Sequence, residues 1–263
     1  MKMLIKNKKE IEKMKISGKI TSDTLQMISK YISPDISTYD IDQICLQYIT
    51  KKKHAIPACL GYQGFPNSVC ISINDVICHG IPNKKIFLKN GDIVNIDIAV
   101  IKNGYYSDAS RMYFVGNVSK ENQLLCNVTQ QSLYKAISIV KPGILLKNIG
   151  KTIQKYVKLY NFSIVKEYCG HGIGKNFHEL PQVLHYKNIE NNFFLQEGMT
   201  FTIEPMINAG THNTKLMKDG WTVKTQDGKN SAQYEHTLAV TKNGCEILTW
   251  QKDEKISPII IHS

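Results

Sequence analysis

An alternating segment that ends in an Asn-Gly turn constrains the fold of this chain more than any other feature. In GDIVNIDIAV, residues 91–100, apolar side chains at even positions alternate with a less apolar odd set that includes Asp97, as in a strand. Asn-Gly at 103–104 favours a two-residue type I′ turn, and YYSDASRMYFV follows as the return strand. Because this turn places Ala99 opposite Asp108, the sequence predicts a hairpin with Asp97 and Asp108 as diagonal neighbours on one face.

The two aspartates of this hairpin have the spacing of a metal site. With Asp97 opposite Ser110, the backbones of Asp97 and Asp108 are expected about 7–8 Å apart, and carboxylates reaching inward would hold cations about 3.5–4 Å apart. Two buried carboxylates repel each other, and a cation keeps both ionised. The alternative is that Asp108 only caps the hairpin in solvent.

Two later segments each present one carboxylate among small polar residues. In EGMTFTIEPM, residues 197–206, Glu204 shares a strand face with two threonines, and Pro205 ends the strand. In SAQYEHTLAV, residues 231–240, Glu235 shares a face with Ser, Gln and Thr side chains. Because alternation would allow apolar residues at these positions, both glutamates are candidate ligands.

A histidine between two glycines completes the candidate set. In CGHGIGKNFHELP, residues 169–181, glycines flank His171 and allow close backbone approach, and His178 follows seven residues later. A lone histidine is more often structural than a ligand, but four carboxylates and one imidazole suit two divalent ions such as Mn, Fe(II), Co or Zn. The candidate metal ligands are Asp97, Asp108, His171, Glu204 and Glu235.

The order of helices and strands occurs twice along the chain. Apolar residues at helical spacing, together with capping and breaking residues, predict helices over residues 8–31, 39–53 after a cap at Thr38, 119–140 and 147–160. Strand-rich segments follow the second and the fourth helix. We therefore expect a single α/β (α+β) catalytic domain over residues 1–263, built from half-repeats at about 8–117 and 119–250.

Composition and charge indicate the cellular compartment of the protein and the kinds of partner it can bind. Charged residues interrupt every apolar run near the N-terminus, and no run of about 18 apolar residues occurs, so we expect a cytoplasmic protein without a membrane span. The net charge is +11, but Arg111 is the only arginine among 33 basic residues. This composition favours a lysine-rich surface exposed to solvent over a site that recognises phosphate groups, because such sites usually use arginine. Binding to an acidic partner such as ribosomal RNA stays an open alternative.

Cysteine usage argues against disulfides and against a structural zinc site. The seven cysteines are odd in number, lie far apart and include no CxxC pair. We therefore expect them to be small, buried hydrophobic residues.

Five motifs carry a resemblance to a known family. They stand in the family's order and spacing and are INDVICHGIP (73–82), DIVNIDIAVIKNGYYSD (92–108), GHGIGKNFHELPQVLHY (170–186), TFTIEPM (200–206) and SAQYEHT (231–237). On these motifs the chain closely resembles the methionine aminopeptidases, M24-type metallopeptidases, in their short bacterial type I form. The resemblance covers nearly the whole chain and implies the pita-bread creatinase/aminopeptidase fold, a pseudo-two-fold repeat of helices packed on a curved antiparallel sheet.

The resemblance also implies an activity and a distribution of metal ligands. Such an enzyme removes the initiator methionine from nascent proteins, preferentially before a small second residue, with a water or hydroxide activated by two divalent ions. Asp97 would hold one ion, Asp108 and Glu235 would bridge both, and the other ion would be completed by His171 and Glu204.

Catalytic roles and partners follow from the same resemblance. It assigns catalysis to His79, His178 and Glu204, with Glu204 moving the proton to the leaving amine. The implied partners are the N-termini of nascent polypeptides, and lysine-rich loops make ribosome association a further expectation. The implied form is a cytoplasmic monomer with no membrane contact.

The family's methionine pocket falls on sulfur-containing and aromatic residues, which suit a polarizable thioether. The substrate-binding positions are Cys59, Tyr62, Phe65, Cys70, His79, Phe177, His178 and Trp221. Phe65 departs from the family pattern, in which Tyr is common, and Leu180 replaces a frequent acidic residue. Asn74, Val76 and Ser231 resemble a family site for an alkali cation.

Two other functions stay open at this point. A prolidase or aminopeptidase P relative would use the same metals, but such proteins usually carry an additional N-terminal domain. A non-catalytic ribosome-binding relative would fit the basic charge, but such proteins typically lose metal ligands, and all five candidates are present here.

Overall fold

Residues 5–189 and 192–262 are described by the computed structural model. The α-helices in this part of the chain are α1 (Lys8–Ile28), α2 (Thr38–Gln47), α3 (Lys120–Ile137) and α4 (Lys147–Val157). α1 and α4 continue into 3-10 turns at Ser29–Tyr31 and Lys158–Tyr160, and α2 continues into a π turn at Tyr48–Lys52. Each helix begins within one residue of its predicted start, but the regular α-helical part ends earlier than predicted.

Side-chain caps explain where the first two helices begin. Asn7 accepts from the N–H of Glu10 at 3.0 Å, and the Glu10 carboxylate accepts from the N–H of Asn7, which makes a capping box. The prediction that Thr38 caps the second helix was wrong, because Thr38 is its first helical residue. Ser37, with an extended ψ of 150°, is the cap and accepts from the N–H of Asp40 at 3.1 Å.

Short strands form most of the remaining framework. They are β1 (Ile56–Pro57), β2 (Cys70–Ile73), β3 (Val76–Cys78), β4 (Ile93–Lys102), β5 (Tyr105–Phe114), β6 (Ser163–Ile164), β7 (Gly170–Gly172), β8 (Glu179–Val183), β9 (Thr200–Ile203), β10 (Met206–Asn208), β11 (Thr214–Leu216), β12 (Val223–Thr225), β13 (Ser231–Gln233), β14 (His236–Thr241), β15 (Gly244–Ile247) and β16 (Ile259–Ile261). The two larger sheets have the orders β1-β4-β2, with β5 also on β4, and β16-β15-β14-β9-β7-β8. The smaller sheets are β13-β10-β6 and β11-β12-β3.

The β4–β5 hairpin has the predicted register. Asp97 lies opposite Ser110, and Ala99 lies opposite Asp108. Both residues of the turn have positive φ, 54° at Asn103 and 76° at Gly104, as a type I′ turn requires. The prediction from the Asn-Gly pair is therefore confirmed, and Asp97 and Asp108 are diagonal neighbours.

Each pair of helices covers its own part of the sheet framework. α1 packs on β4 and β5, and the apolar cluster there includes Leu25, Ile41 and Ile96. α3 and α4 pack on each other, and α3 also contacts β9, β10 and β13. The cluster beneath them includes Leu133 and Phe201. This is a mixed α/β architecture with antiparallel sheets, the pita-bread fold.

Glu204 was predicted in a strand that ends at Pro205 and Glu235 in a continuous strand over residues 231–240, but both glutamates lie in breaks between strands. β9 ends at Ile203 and β10 begins at Met206, so Glu204 lies in the break. β13 ends at Gln233 and β14 begins at His236, so Glu235 lies in a second break. β9 pairs with β14 and β10 pairs with β13, so the two breaks face each other between the paired strands.

Cysteine burial agrees with the sequence. All seven cysteines are free thiols and six of them are buried, whereas Cys169 is partly exposed. Over residues 5–189 and 192–262, the helices lack the combination of length and apolar character needed to cross a bilayer.

Candidate functional site

A cavity of about 550 Å³ lies where the hairpin meets the strands of the six-stranded sheet. Asp97 and Asp108 reach it from the hairpin, His171 from β7, and Glu204 from the break after β9. All three acidic residues and the histidine belong to the set predicted to bind metal. Glu235, the fifth member, is buried beside them, within reach of Asp108 and His171.

Backbone contacts to Thr237 fix the position of Asp108. The Asp108 N–H donates to Thr237 Oγ1 at 3.0 Å, and the same hydroxyl donates to the Asp108 carbonyl oxygen at 2.7 Å. Neither bond uses the carboxylate. Oδ1 atoms of both Asp97 and Asp108 are buried without a hydrogen-bond partner. Because buried carboxylate oxygens are normally satisfied, these orphaned atoms are free to bind a ligand.

Thr202 holds His171 and Glu204 together. Its hydroxyl accepts from the His171 N–H at 3.1 Å and donates to Glu204 Oε1 at 2.8 Å. The Glu204 N–H donates to His185 Nε2 at 3.1 Å, and Gln233 Nε2 donates to Glu204 Oε2 at 3.3 Å. The break at Glu204 is thus supported by side chains from two other segments.

The imidazole of His171 is held in one tautomer. Its Nδ1 lies 3.0 Å from the carbonyl oxygen of Gly172, and since a carbonyl only accepts, Nδ1 carries the proton. The unprotonated Nε2 lies 3.8 Å from Asp108 Oδ2 and 3.8 Å from Glu204 Oε1. Burial lowers the pKa of His171 to about 4, so the ring is neutral at pH 7 and presents a lone pair.

The acidic groups of the site are harder to ionise than free carboxyl groups. Burial, followed by the charge of Asp108, raises the pKa of Asp97 well above its usual range. The same causes raise the pKa values of Glu204 and Glu235, and burial raises the pKa of Asp108 to about 6. Without a cation, the folded protein must bury several mutually repelling carboxylates.

These residues fit a divalent cation. One ligand atom each from Asp108, His171 and Glu235 lies within 4.8 Å of the others. The donors are hard carboxylate oxygens, three of which are orphaned on Asp97, Asp108 and Glu235, together with a neutral imidazole nitrogen. That combination is the donor set of a divalent metal centre.

Two further histidines stand at the cavity without contributing to this cluster. Burial, followed by the nearby His178, lowers the pKa of His79 to about 4. Desolvation at the cavity wall, followed by His171, lowers the pKa of His178 to about 4, although His178 is open to solvent at the cavity mouth. His79 has a left-handed φ of 55°, and its ring packs edge-on against Tyr168 and Trp221. Both imidazoles are neutral at pH 7 and can donate one hydrogen bond each.

The predicted methionine pocket is part of the same cavity. All of its predicted members line the cavity wall: Cys59, Tyr62, Phe65, Cys70, Phe177 and Trp221. Phe65 is buried and meets Trp221 edge-on, with ring centroids 5.2 Å apart. Tyr62 meets Phe177 edge-on at 4.9 Å. The apolar wall therefore adjoins the carboxylate cluster directly.

The three residues of the predicted alkali-cation site lie near one another. The Ser231 N–H donates to the Asn74 carbonyl oxygen at 2.8 Å, and Val76 begins β3 two residues after Asn74. Asn74 has a left-handed φ of 53°.

Several supporting residues were missed from the sequence. Thr202 and Thr237 hold the backbone or side chains of predicted ligands, and His185 accepts from the backbone of Glu204. The threonines are polar residues on otherwise buried strands, which is the signal that identifies them. His185 gives no such signal, because it lies in the segment after β8 and its contact is with the break after β9, 19 residues later.

Comparisons with known proteins agree with this geometry. The sequence profile of metallopeptidase family M24 matches residues 12–242. Methionine aminopeptidase from Buchnera aphidicola (Acyrthosiphon pisum) is 60% identical over 262 residues, covering 100% of this chain and 99% of the relative. Methionine aminopeptidase from Escherichia coli K12 is 56% identical, covering 100% and 99%.

A solved structure gives the same result. The crystal structure of methionine aminopeptidase from Rickettsia prowazekii superimposes with a TM-score of 0.92 at 49% identity, covering 95% of this chain and 100% of that one. Both the sequence and the fold agree along nearly the entire length. The chain therefore belongs to metallopeptidase family M24 and, within it, to the methionine aminopeptidases of the bacterial type I form.

Proposed function

We propose that the protein removes the initiator methionine from nascent polypeptides, preferentially when the second residue is small. The observation that carries this proposal is the junction of two surfaces in one cavity. A cluster of carboxylates and a neutral imidazole adjoins a wall of sulfur and aromatic side chains. The first surface suits hydrolysis and the second suits a thioether side chain.

Metal binding is assigned to Asp97, Asp108, His171, Glu204 and Glu235, which would hold two divalent ions of Co, Mn, Fe(II) or Zn. When bound, such ions supply a Lewis acid and lower the pKa of water toward neutrality. The orphaned oxygens of Asp97, Asp108 and Glu235 and the lone pair on His171 Nε2 support this assignment.

Glu204 is proposed to move the proton. Thr202 holds its Oε1 at 2.8 Å, whereas Gln233 contacts Oε2 at a longer 3.3 Å. Oε2 is therefore the atom we expect to take the proton from the attacking water and deliver it to the leaving amine.

His79 and His178 are proposed to contact the substrate backbone. Both are neutral at pH 7, so each can donate an N–H to the carbonyl oxygen as negative charge develops on it. Methionine would occupy the wall formed by Cys59, Tyr62, Phe65, Cys70, Phe177 and Trp221.

Replacing Glu204 by Gln tests the proposal. The amide keeps the size of the side chain but cannot accept a proton, so we expect turnover of Met-Gly-Met to fall about 10²- to 10⁴-fold. The variant should keep its circular dichroism spectrum and, at saturating metal, still bind metal through the four remaining ligands, as measured by elemental analysis. Turnover like that of the wild type would exclude the proposed role of Glu204.

The choice of substrate separates the proposal from a prolidase-like activity. Wild-type protein should hydrolyse Met-Ala peptides and leave Xaa-Pro dipeptides intact. A preference for Xaa-Pro substrates would contradict the proposed function. Within the Met series, a large second residue in Met-Leu peptides should reduce kcat/KM relative to Met-Ala.

The cellular setting is part of the same proposal. We expect a cytoplasmic monomer that meets nascent chain N-termini, with lysine-rich surfaces near ribosomal RNA. Asn74, Val76 and Ser231 would hold an alkali cation. We further propose that the domain is a repeat of two halves, 8–117 and 119–250, since each half contains a helix pair on its own strands.

A further inference from the structure

The hydroxyl of Tyr62 contacts one of the two nitrogens of His178. Tyr62 OH lies 2.7 Å from His178 Nδ1, a short hydrogen bond between the pocket wall and a proposed substrate contact. The tyrosine stands in a tight turn in which the Tyr62 N–H donates to the Cys59 carbonyl and the Phe65 N–H donates to the Tyr62 carbonyl. Gly61 has a φ of 81°, a conformation that favours glycine.

The direction of this hydrogen bond follows from a second contact. Gln63 Nε2 donates to the Tyr62 hydroxyl oxygen at 3.2 Å. Gln63 Nε2 can only donate, so among the described residues His178 Nδ1 is the atom in contact with the Tyr62 hydroxyl that can accept its proton. A nitrogen that accepts a proton from a hydroxyl is unprotonated, so the proton of a neutral His178 ring lies on Nε2.

We propose that Tyr62 is a positioning residue that fixes His178 in the tautomer with Nε2–H available to the substrate. This inference rests on the proposed function, in which His178 donates to the substrate carbonyl. The opposite tautomer would present a lone pair to the developing oxyanion and repel it. The aromatic ring of Tyr62 would still form the wall of the methionine pocket, so its hydroxyl and its ring have separate roles.

Apart from this hydrogen bond, the described residues hold the ring of His178 by packing. Its centroid lies 4.5 Å from the centroid of Phe177 and 4.2 Å from that of His171. Ring packing restricts rotation but does not distinguish the two tautomers. Among the described residues, the Tyr62 hydroxyl makes the hydrogen bond that does so.

Nuclear magnetic resonance tests the tautomer without any assay of activity. In full-length, zinc-loaded protein with 15N-labelled histidine, the long-range 1H–15N spectrum should show His178 protonated at Nε2 and unprotonated at Nδ1. The His178→Asn variant identifies the signals by their loss. In Tyr62→Phe, the His178 signals should shift toward a mixture of tautomers. A wild-type ring protonated at Nδ1, or an unchanged spectrum in the variant, would overturn the proposal.

Kinetics provide the second test, with Tyr106→Phe as a matched control. Tyr106 stacks on the same Phe177 at 5.5 Å, but its ring is outside the cavity wall and its hydroxyl makes no hydrogen bond among the described residues. Tyr62→Phe should lower kcat on Met-Gly-Met roughly 5- to 10-fold, the effect of one hydrogen bond, with KM changed less than about 2-fold. Tyr106→Phe should change neither constant.

The two tests separate the failure of this inference from failure of the proposed function. A rise in KM at unchanged kcat in Tyr62→Phe would show that Tyr62 only shapes the pocket, and it would overturn the positioning role. A wild-type protein inactive on methionyl peptides would contradict the proposed function while the spectrum still reported the tautomer. If Tyr62→Phe failed to fold, the wild-type spectrum alone would decide the inference.

Discussion

The two pairs of acidic residues at the cavity are placed by different kinds of structure. Asp97 and Asp108 belong to an uninterrupted hairpin, where each backbone position is set by its cross-strand partner. Glu204 and Glu235 lie in breaks between strands, where no ladder continues. Their backbone N–H groups instead donate to distant partners, His185 and Ser110 respectively. A regular ladder fixes the first pair locally, and long-range contacts fix the second.

The hairpin also supports one member of the second pair, Glu235. Because the Glu235 N–H donates at 3.1 Å to the carbonyl of Ser110, the break after β13 rests on the strand that carries Asp108. Thr237, two residues later, binds both backbone groups of Asp108. The hairpin therefore provides a fixed backbone against which the break at Glu235 is positioned.

Replacing Asp108 by Asn should have the largest effect. The hairpin ladder holds the backbone at this position whatever the side chain, so the fold is retained, but a charged donor of the metal cluster is lost. We expect bound metal and turnover of Met-Gly-Met to fall by at least about 100-fold, measured by elemental analysis and by peptide hydrolysis.

The metal-free form of this variant gives the control. Removing one of several buried, repelling carboxylates should leave the melting temperature of metal-free protein unchanged or raise it. A large drop in the melting temperature would mean that the Asp108 side chain is needed for the fold itself. The hairpin ladder alone would then not be enough to hold this part of the site.

Chelation should destabilise the protein more at pH 8 than at pH 6. Burial, as the first cause, raises the pKa of Asp108 to about 6 and also raises those of Asp97, Glu204 and Glu235 well above their usual range. Protons therefore compete with cations as the pH falls through these values, and stabilisation by metal is greatest above them and is lost below.

Calorimetry with and without a chelator measures this difference at each pH. We expect the gap in melting temperature at pH 8 to exceed that at pH 6 by on the order of 5 °C. An equal gap at both values would mean that the acidic cluster does not bind the cation. The loaded and metal-free proteins unfold to the same chain. Comparing their melting temperatures at one pH therefore removes the effect of ionisation in the unfolded state.

His185 tests the long-range support of Glu204, with a smaller expected effect. His185→Leu removes the acceptor for the Glu204 N–H, and we expect kcat to fall roughly 10-fold because the carboxylate is less well placed. His185→Gln keeps an acceptor at a similar reach and should restore most of the activity. Equal losses in both variants would mean that His185 contributes packing rather than this hydrogen bond.

The same variants have a signature in the pH dependence of stability. Burial lowers the pKa of His185 to about 3, below its value of about 6.5 in the unfolded chain. The unfolded chain therefore binds the proton first, and the wild type loses stability as the pH falls below about 6.5. Between pH 7 and pH 5 the free energy of unfolding of His185→Gln should fall about 2 kcal/mol less than that of the wild type, by denaturant titration.

The same distinction explains what could be predicted from the sequence. The register of Asp97 and Asp108 follows from two local signals, alternation and an Asn-Gly turn, and both are present in the structure. Pro205 predicted the end of the Glu204 strand, which the structure places at Ile203, but the break at Glu235 was not predicted, because its position depends on Ser110, which is far away in the sequence. Family resemblance supplied the pocket residues, which no periodicity identifies.

Smaller errors in the predicted start and end of the second helix have local causes. The cap of α2 was assigned to Thr38 rather than Ser37, since adjacent Ser and Thr offer the same hydroxyl and only the backbone conformation distinguishes them. The second helix was predicted to continue regularly to residue 53, but it widens into a π turn at Tyr48–Lys52, which periodicity does not reveal.

The backbone at His79 has a consequence for how this position can vary. A left-handed φ of 55° costs a histidine backbone energy that glycine would not lose, while the His79 ring gains contacts with Tyr168 and Trp221. Replacing His79 would relieve the backbone but also remove this ring packing, whereas selection for turnover would retain the substrate contact proposed for His79. Under the role proposed for His79, this position joins a strained backbone to a substrate contact, so a heat-resistant variant that carries glycine or asparagine there should have lost activity.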